Sequence, residues 1–327
     1  MEAVLNLLKE ELLVFFSIGG IIDIIQSGDY SVLRTWGGII KVIAPLIPLI
    51  VMVELSMAFF HRKFQAAEYR IPFFTYVFNR IAGRYISLGV AGFCIAWLLP
   101  IAPFHLPVTW YGFIVGYIIW EFSHFIYHFL AHKVRLLWCL HSTHHAPEAM
   151  NLSVNYTHFI LEAPYADFVR TSICIFLGVE PVILFAIMFV DGTWGAFIHV
   201  GENFMKNSQL GFLGNWILTP SHHRVHHARN PLYIDTNFCN LLNIWDRVFR
   251  TYQPEQRIPI EYGITRKINI RSFWDVYFGE FYYLAKDVWT APGLVNKVKY
   301  VLLPPGWSHT GNHRTASAIR ERYLRER

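Results

Sequence analysis

Long apolar runs dominate the first half of the chain, and few charged residues interrupt them. Four runs precede the first histidine cluster: residues 12–25, 38–60, Tyr85–Ile101 and 106–120. A helix needs about 20 apolar residues to cross the hydrocarbon core of a bilayer. The second run is long enough to span alone, and the shorter third and fourth runs predict a helical hairpin. This pattern predicts an integral membrane protein built of helices, with a cytoplasmic cap.

The charges between the runs predict how the chain crosses the membrane. The loop after the second run carries five basic residues against one acid, whereas residues 100–107 carry no charge. Since cytoplasmic loops are enriched in Arg and Lys, we expect the histidine clusters on the cytoplasmic side of a bacterial inner membrane or an ER membrane. A fifth apolar run, residues 172–200, is broken by Gly178, Pro181 and Gly192, and it predicts either a hairpin or a re-entrant segment.

The composition agrees with a multi-pass membrane protein and excludes other classes. Apolar residues make up 54% of the 327 residues and charged residues 16%, so the chain is too apolar for a disordered protein, a coiled coil or a nucleic-acid-binding module. The four cysteines lie far apart, with no spacing typical of a zinc ribbon or a disulfide framework.

Histidines are concentrated in one part of the chain, since twelve of the sixteen lie between His124 and His227. Most belong to three clusters with short, regular spacings. The segment HFIYHFLAH contains His124, His128 and His132; HSTHH contains His141, His144 and His145; SHHRVHH contains His222, His223, His226 and His227. The first spacing is i, i+4, i+8, which aligns the imidazoles along one face of a helix.

The HxxHH spacing of the second and third clusters is typical of metal binding. On a helix it predicts three imidazoles that converge on one point, and Thr219 with Pro220 predicts a helix start before the third cluster. The HxxxH and the two HxxHH motifs offer eight ligands, whereas one zinc site takes about four, so two metal ions are expected.

Ligand type leaves iron, zinc, copper and nickel open, because imidazole suits all four metals. Iron is favoured by context. A membrane-facing metal pair without the glutamate of an HExxH motif is poorly arranged for hydrolysis, whereas two ferrous ions suit activation of O2 and attack on an unactivated C–H bond.

A haem-binding membrane cytochrome and a metal carrier are alternatives from a different class, since both place histidines on transmembrane helices. The histidine doublets are superfluous for bis-histidine haem ligation, and a carrier needs polar ligands within its spans. A Soret band would favour the cytochrome.

The segments HFLAH, HSTHH and HHRVHH resemble the three histidine boxes of the fatty acid hydroxylase and sterol desaturase superfamily of membrane di-iron enzymes. The segment TPSHHRVHHARNPLYIDTNFCNLLNIWDRVFRTY is most similar to the alkylglycerol monooxygenase branch, with a weaker similarity at PGW. This resemblance implies a helical membrane fold of about four spans, two non-haem irons on the cytosolic side and a lipid substrate from the bilayer.

The resemblance also implies individual roles. The residues it assigns as catalytic iron ligands are His128 and His132 in the first box, His141, His144 and His145 in the second, and His223, His226 and His227 in the third, with His199 as a further ligand. His124 and His222 would be additional ligands or neighbours of ligands. Where the family commonly has NYG and a later glycine, this chain has Asn237-Phe238-Cys239 and Arg250, which predicts an altered pocket around unaltered ligands.

Metal-bound histidines usually donate their second N–H to a carboxylate or carbonyl group. Acids that flank the boxes in the sequence are therefore candidates for these acceptors: Glu121, Glu148, Asp235 and Asp246.

We expect three regions in the chain: transmembrane helices at 1–119, the catalytic region at 120–254 and a cytoplasmic region at 255–327. The hypothesis is an O2-dependent di-iron oxygenase that hydroxylates a C–H bond of an ether lipid, a sterol or a fatty acyl chain. A lipid or sterol desaturase with the same site is the alternative within this chemistry. A reduced pterin, cytochrome b5 or a ferredoxin would donate the electrons.

Overall fold

The computed structural model describes residues 6, 9–10, 12–13, 16–61, 64–80, 83–206 and 208–326. All regular secondary-structure elements within these residues are helices. The β-structure there is confined to two isolated bridges, Ile217 with Leu242 and Ala228 with Tyr262. The chain divides into two compact units, Met1–Phe64 and Gln65–Arg327. The prediction of an all-α fold is confirmed for the described part of the chain.

The α-helices of the first unit that lie wholly within the described residues are α1 (Gly19–Ser27), α2 (Trp36–Ile43) and α3 (Leu46–Phe60). The predicted run 38–60 is divided between α2 and α3, with a turn at residues 44–45. Proline lacks a backbone N–H and disfavours a helical conformation in the residue before it, which explains a turn at Pro45. The predicted run 12–25 includes residues 14 and 15, which lie outside the described residues.

The second unit contains the histidine clusters. Its α-helices are α4 (Ala66–Arg80), α5 (Gly83–Leu98), α6 (Trp110–Lys133), α7 (Arg135–His145), α8 (Glu162–Phe176), α9 (Pro181–Phe197), α10 (Pro220–His226), α11 (Ile244–Val248), α12 (Phe273–Thr290), α13 (Gly293–Leu302) and α14 (Ala316–Arg325). Short 3₁₀ turns lie at Tyr30–Arg34, Leu99–Ile101, Leu152–Tyr156 and Gly211–Asn215, the first of them in the first unit.

Helix α6 is the longest element, and it carries the first histidine cluster. The side chain of Thr109 accepts a hydrogen bond from the backbone N–H of Gly112 and caps the helix start. From Trp110 the helix continues for 24 residues, so the predicted run 106–120 leads directly into the helix of the histidine ladder, as the sequence predicts.

Two segments of the described chain are long and apolar enough to cross a membrane, Lys41–Phe60 and Trp110–Lys133. Tyr85–Ile101 and Pro181–Phe197 are shorter apolar helices. The number of spans and the side of the membrane therefore stay predictions.

The apolar run 172–200 forms the end of α8 and the whole of α9, joined by a turn that contains Gly178. Gly178 has φ +79°, and a Cβ atom there would lie 2.4 Å from the carbonyl oxygen of Phe104, so the turn requires glycine. Helices α6, α8 and α9 enclose an apolar core next to the histidines. Its buried members are Tyr117, Trp120, Cys174, Ile175, Val179, Ile183, Leu184 and Ile187.

Candidate metal centre

Nine buried histidines form two adjacent groups in which all ligand nitrogens lie within 4.8 Å of one another. Group one consists of His128, His132, His141, His145 and His226. Group two consists of His144, His199, His223 and His227. All nine were singled out as ligands from the sequence, and the structure brings every one of them into one of the two groups.

Each HxxHH motif is divided between the groups, which corrects the expectation that its three imidazoles converge on one point. In α7, His141 and His145 enter group one and His144 enters group two. In the α10 segment the division is reversed, since His223 and His227 enter group two. The reason is helical geometry: residues four apart differ by about 40° around the axis, whereas adjacent residues differ by about 100°.

Backbone carbonyl groups fix the orientation of three of the imidazoles. Nδ1 of His128 donates to the Phe238 carbonyl at 2.9 Å, and Nδ1 of His226 donates to the Thr236 carbonyl at 2.8 Å. Nδ1 of His199 donates to the Gly195 carbonyl at 2.6 Å. A carbonyl oxygen only accepts hydrogen bonds, so in the neutral ring the proton is on Nδ1 and Nε2 presents a lone pair.

These lone pairs point at one another. The Nε2 atoms of His128 and His141 are 3.0 Å apart, and those of His199 and His223 are 2.9 Å apart. The Nε2 atoms of His132 and His226 are buried without a hydrogen-bond partner. Unprotonated nitrogens converging in this way repel one another, whereas a cation between them is bound by all. The residues therefore fit a metal ion in each group.

Two carboxylates hold the second nitrogen of group-one histidines. Oε1 of Glu162 accepts from Nδ1 of His141 at 2.6 Å, and Oδ1 of Asp235 accepts from Nδ1 of His132 at 3.2 Å. Asp235 is the one sequence-predicted acid that contacts a clustered histidine. It also pairs with Lys133.

Glu162 was not identified from the sequence, although it is almost fully buried and also accepts from His158 at 2.9 Å and from Tyr127 at 3.0 Å. Burial alone would raise the pKa of the Glu162 carboxyl, but His158 and His141 outweigh burial and lower this pKa to about 2. The same carboxylate raises the pKa of His158 against the opposing effect of burial. The sequence signal for this contact is the i, i+4 spacing of His158 and Glu162.

Three other predicted acids do not contact the clustered histidines, which corrects that expectation. Glu121 accepts from the backbone N–H groups of Asn240, Leu241 and Leu242 at 3.2, 2.7 and 2.8 Å. Asp246 accepts from those of Phe238 and Cys239 at 2.7 and 2.8 Å. These two acids stabilise the loop whose Phe238 carbonyl orients His128, so they act one step further from the metal positions.

The third of these predicted acids is Glu148. Its Oε1 lies 3.7 Å from Nη1 of Arg229, and its side chain is 41% exposed.

His124 and His222 lie outside both groups. Nδ1 of His124 is buried without a hydrogen-bond partner, 3.8 Å from Oδ2 of Asp191. The His222 ring contacts the Thr219 hydroxyl at the start of α10, and its Nε2 lies 2.9 Å from the Tyr252 hydroxyl. His124 thus borders the site, whereas His222 caps a helix.

Burial also determines the charge of the clustered histidines that lie outside the candidate membrane span Trp110–Lys133. Burial, together with the neighbouring imidazoles, lowers the pKa of His144, His145, His223, His226 and His227 well below the usual value. At neutral pH these rings are uncharged, which is the form that binds metal ions.

A cavity of about 230 Å³ lies against both groups. It contacts His128 and His141 of group one and His144, His199 and His223 of group two. The rest of its wall is His124, Tyr127, Asn155, His158, Glu162, Ala163, Ala166, Arg170, Asp191, Gly192, Gly195, Cys239 and Asn240. Space for a reactant therefore exists next to both metal positions.

Two of the positions that depart from the family pattern, Phe238 and Cys239, lie at this site. The Phe238 ring packs against His128, His132 and His226, with ring centroids 5.7, 5.1 and 5.9 Å away, and Cys239 lines the cavity. Arg250 has φ +60°, a conformation that favours glycine.

Comparison with known proteins gives consistent matches over the histidine region. The family model for fatty acid hydroxylases matches residues 113–251, which include all nine clustered histidines. Human alkylglycerol monooxygenase is 34% identical over 214 residues, covering 63% of this chain and 44% of that protein. The alkylglycerol monooxygenase of Caenorhabditis elegans is 30% identical over 226 residues, covering 64% and 42%.

A more distant match is the ornithine lipid hydroxylase OlsE of Rhizobium tropici, 28% identical over 160 residues, which cover 47% of this chain and 46% of that protein. The chain thus spans less than half the length of the curated relatives it matches. No solved structure matches this chain.

Proposed function

We propose that this chain, which belongs to the fatty acid hydroxylase superfamily and to its alkylglycerol monooxygenase-like branch, is a membrane-embedded, O2-dependent hydroxylase of a lipid C–H bond. The observation that carries the proposal is the pair of adjacent imidazole groups facing one cavity. A single structural metal ion would need one such group and no cavity beside it.

An ether lipid is the first proposed substrate, because relatives with at least 30% identity are named alkylglycerol monooxygenases. The ornithine lipid hydroxylase extends the range of lipid head groups among the relatives. Sterols and fatty acyl chains are the other substrates to assay, with desaturation as the alternative outcome. Hydroxylation and desaturation differ in how the pocket positions one carbon, so product analysis separates them.

Group one would hold one iron ion and group two the other. The irons, when bound, supply the redox chemistry that activates O2 for attack on a C–H bond. Protein groups orient the ligands: Glu162 and Asp235 accept hydrogen bonds from the Nδ1–H groups of His141 and His132. The carbonyls of Phe238, Thr236 and Gly195 do the same for the other three oriented rings. With Nδ1 held, each Nε2 is directed at its group without rearrangement.

The cavity wall would position the lipid and limit access of water. It combines small residues, Ala163, Ala166 and Gly195, with polar groups such as Asp191, whose Oδ1 accepts from the Tyr117 hydroxyl at 3.3 Å. Small residues leave room for a methylene segment beside His144 and His199. The polar groups are placed to bind hydroxyl or head-group atoms near the reacting carbon.

The membrane placement is part of the proposal. Trp110–Lys133 would cross the bilayer, with His128 and His132 near its Lys133 end at the cytoplasmic interface. A lipid would then enter the cavity from the bilayer, while the electron donor, a reduced pterin, cytochrome b5 or a ferredoxin, would act from the cytoplasm.

Adjacent histidines provide a matched test of the two metal positions. We would purify the chain anaerobically in detergent, load it with iron and measure metal stoichiometry for the wild type and three variants. His226→Ala removes a group-one ligand, His227→Ala removes a group-two ligand, and His222→Ala leaves both groups intact. We expect two irons in the wild type and in His222→Ala, and loss of one iron in each of the other variants.

Lipid hydroxylation is then assayed with alkylglycerol, sterol and fatty acyl substrates and each donor. His226→Ala and His227→Ala should both lose activity, whereas His222→Ala should keep it. Two zinc ions with no uptake of iron would overturn the oxygenase proposal, and a Soret band would favour the cytochrome.

A further inference from the structure

One face of helix α12 carries an apolar stripe that is mostly aromatic and is called the aromatic stripe below: Trp274, Phe278, Tyr282, Ala285 and Trp289. At these spacings the five side chains lie within about 80° of one another around the helix axis. Trp274, Tyr282 and Trp289 are 71%, 64% and 85% exposed. Contiguous exposed apolar surface of this kind marks an interaction site on a soluble surface or contact with a membrane.

Helix α13 also exposes an apolar face. Leu294, Val298 and Leu302 follow an i, i+4, i+8 spacing and are 76%, 46% and 55% exposed. The opposite faces of α12 and α13 meet in a small core that includes Leu284, Ala291 and Tyr300. The two helices thus form a hairpin, residues 273–302, with one apolar face buried and another facing outward.

The charges of this hairpin are distributed unevenly. Asp275 and Glu280 both pair with Arg266, at 2.9 and 2.6 Å, so one arginine inside the fold offsets part of the charge of two of its three acids. The third, Asp287, pairs with Arg135 at 2.6 Å. Its three lysines, Lys286, Lys297 and Lys299, form no ion pair with any described residue. The outward charge of the hairpin is therefore positive.

Arg135 places the hairpin relative to the candidate span. It stands two residues beyond the end of Trp110–Lys133 and is 7% exposed. Its guanidinium pairs with Asp287 near the end of α12, and its backbone N–H donates to the Leu303 carbonyl, directly after α13, at 3.1 Å. Through Arg135, both α12 and α13 are therefore bonded to the chain just beyond the Lys133 end of the candidate span.

We infer that the α12–α13 hairpin lies in the interface of the bilayer, with the aromatic stripe towards the acyl chains and the lysines near anionic lipid phosphates. Trp and Tyr favour the head-group region, and an amphipathic helix with Lys beside an aromatic face binds there in the membrane plane. The inference rests on the membrane placement proposed above and is independent of the metal chemistry.

Site-specific fluorescence in nanodiscs tests this placement. The four native cysteines are buried and free, so a single introduced cysteine can be labelled with bimane in the full chain. Trp289→Cys reports on the stripe, and Glu261→Cys, whose parent side chain is 65% exposed outside the hairpin, is the control. Ile114→Cys, at a residue 50% exposed on the candidate span, reports whether that span is in the bilayer.

The quenchers are a lipid with a nitroxide near its head group and aqueous iodide. We expect the lipid to quench the label at 289 but not at 261, and iodide to do the reverse. Replacing phosphatidylcholine by a mixture with anionic phosphatidylglycerol should increase lipid quenching at 289, and Lys286→Glu with Lys299→Glu should abolish that increase.

Strong iodide quenching at 289, with lipid quenching intact at 114, would overturn the hairpin inference alone. Cross-linking of two chains through residue 289 would also overturn it, because a second copy would then cover the stripe. Loss of lipid quenching at both 114 and 289 would contradict the membrane placement itself.

Discussion

Glu162 Oε1 lies 2.6 Å from Nδ1 of His141, and this contact joins the start of α8 to the second histidine motif. The carboxylate is nearly buried and also receives hydrogen bonds from His158 and Tyr127. It therefore holds the tautomer of one group-one ligand while connecting that ligand to the wall of the cavity.

Glu162→Gln should weaken metal binding while leaving the fold intact. The amide has a similar shape but lacks the charge that balances His158, and loss of such an acceptor typically lowers metal affinity by about 10- to 100-fold. Competition with a chelator of known affinity measures this change. Glu148→Gln is the control, since Glu148 contacts Arg229 and not the histidines, and equal affinities in the two variants would contradict the role of Glu162.

The metal-free protein should lose stability as the pH falls below about 6.5, the pKa of an unperturbed histidine. In the folded state, burial lowers the pKa of His144, His145, His223 and His227, so the unfolded chain binds more protons below that pH. Between pH 6.5 and its folded-state pKa, each such histidine lowers the free energy of unfolding by about 1.4 kcal/mol per pH unit.

Glu162 acts in a separate pH range, since its lowered pKa contributes stability above about pH 4.5 that is lost as the pH falls towards 2.

Thermal unfolding of the metal-free chain between pH 8 and pH 5 checks the histidine effect. The double variant His223→Gln, His227→Gln should show a shallower dependence. A melting temperature that is constant from pH 7.5 to 5.5 would contradict the prediction.

Arg250→Gly should stabilise the protein. Arg250 has φ +60°, and a side chain in the left-handed region costs about 1–2 kcal/mol, whereas glycine adopts it freely. After the greater chain entropy of unfolded glycine is subtracted, a gain of about 1 kcal/mol is expected. The melting temperature measures it. Arg257→Gly, at a residue without positive φ, should give no gain, and equal shifts in both variants would contradict the explanation.

Ala163→Phe should lower lipid turnover without removing metal. Ala163 lines the cavity beside both histidine groups and is exposed there, so the larger ring fills reactant space without disturbing a packed core. Because displacement of a substrate by about 1 Å can cost up to 100-fold in rate, we expect at least a tenfold loss of turnover.

Leu161→Phe is the matched control, since Leu161 is 46% exposed and lies outside the cavity lining. Metal analysis accompanies the rate measurements. Full activity of Ala163→Phe with every tested lipid would show that the substrate does not use this cavity.

Helical periodicity explains why the candidate metal ligands can be predicted from the sequence without knowledge of the tertiary structure. The i, i+4 spacings are local, and a helix converts each of them directly into a shared face: His128 with His132, His141 with His145, and His223 with His227. The same argument identified the apolar segments and the start of α10 at Pro220. Asp235 is a candidate in the sequence because it follows the third cluster closely, and the structure places it against His132 and Lys133 of α6.

Long-range packing decided the rest. Whether an imidazole enters group one or group two depends on how α6, α7 and α10 approach one another, and no spacing along the chain records that approach. Glu162 reaches His141, and the Phe238 carbonyl reaches His128, across 21 and 110 residues of sequence. Glu121 and Asp246 instead bind backbone N–H groups, because a loop buried beside the site must satisfy its own donors.

The chain's local pattern therefore determines which histidines are available for metal and on which helices they stand. The tertiary structure determines their division into two groups, their hydrogen-bonded tautomers and the cavity beside them. The physical reason is range: a helix repeats its geometry within a few residues, whereas a metal centre is assembled from side chains that only the packing of distant helices brings within a few ångströms.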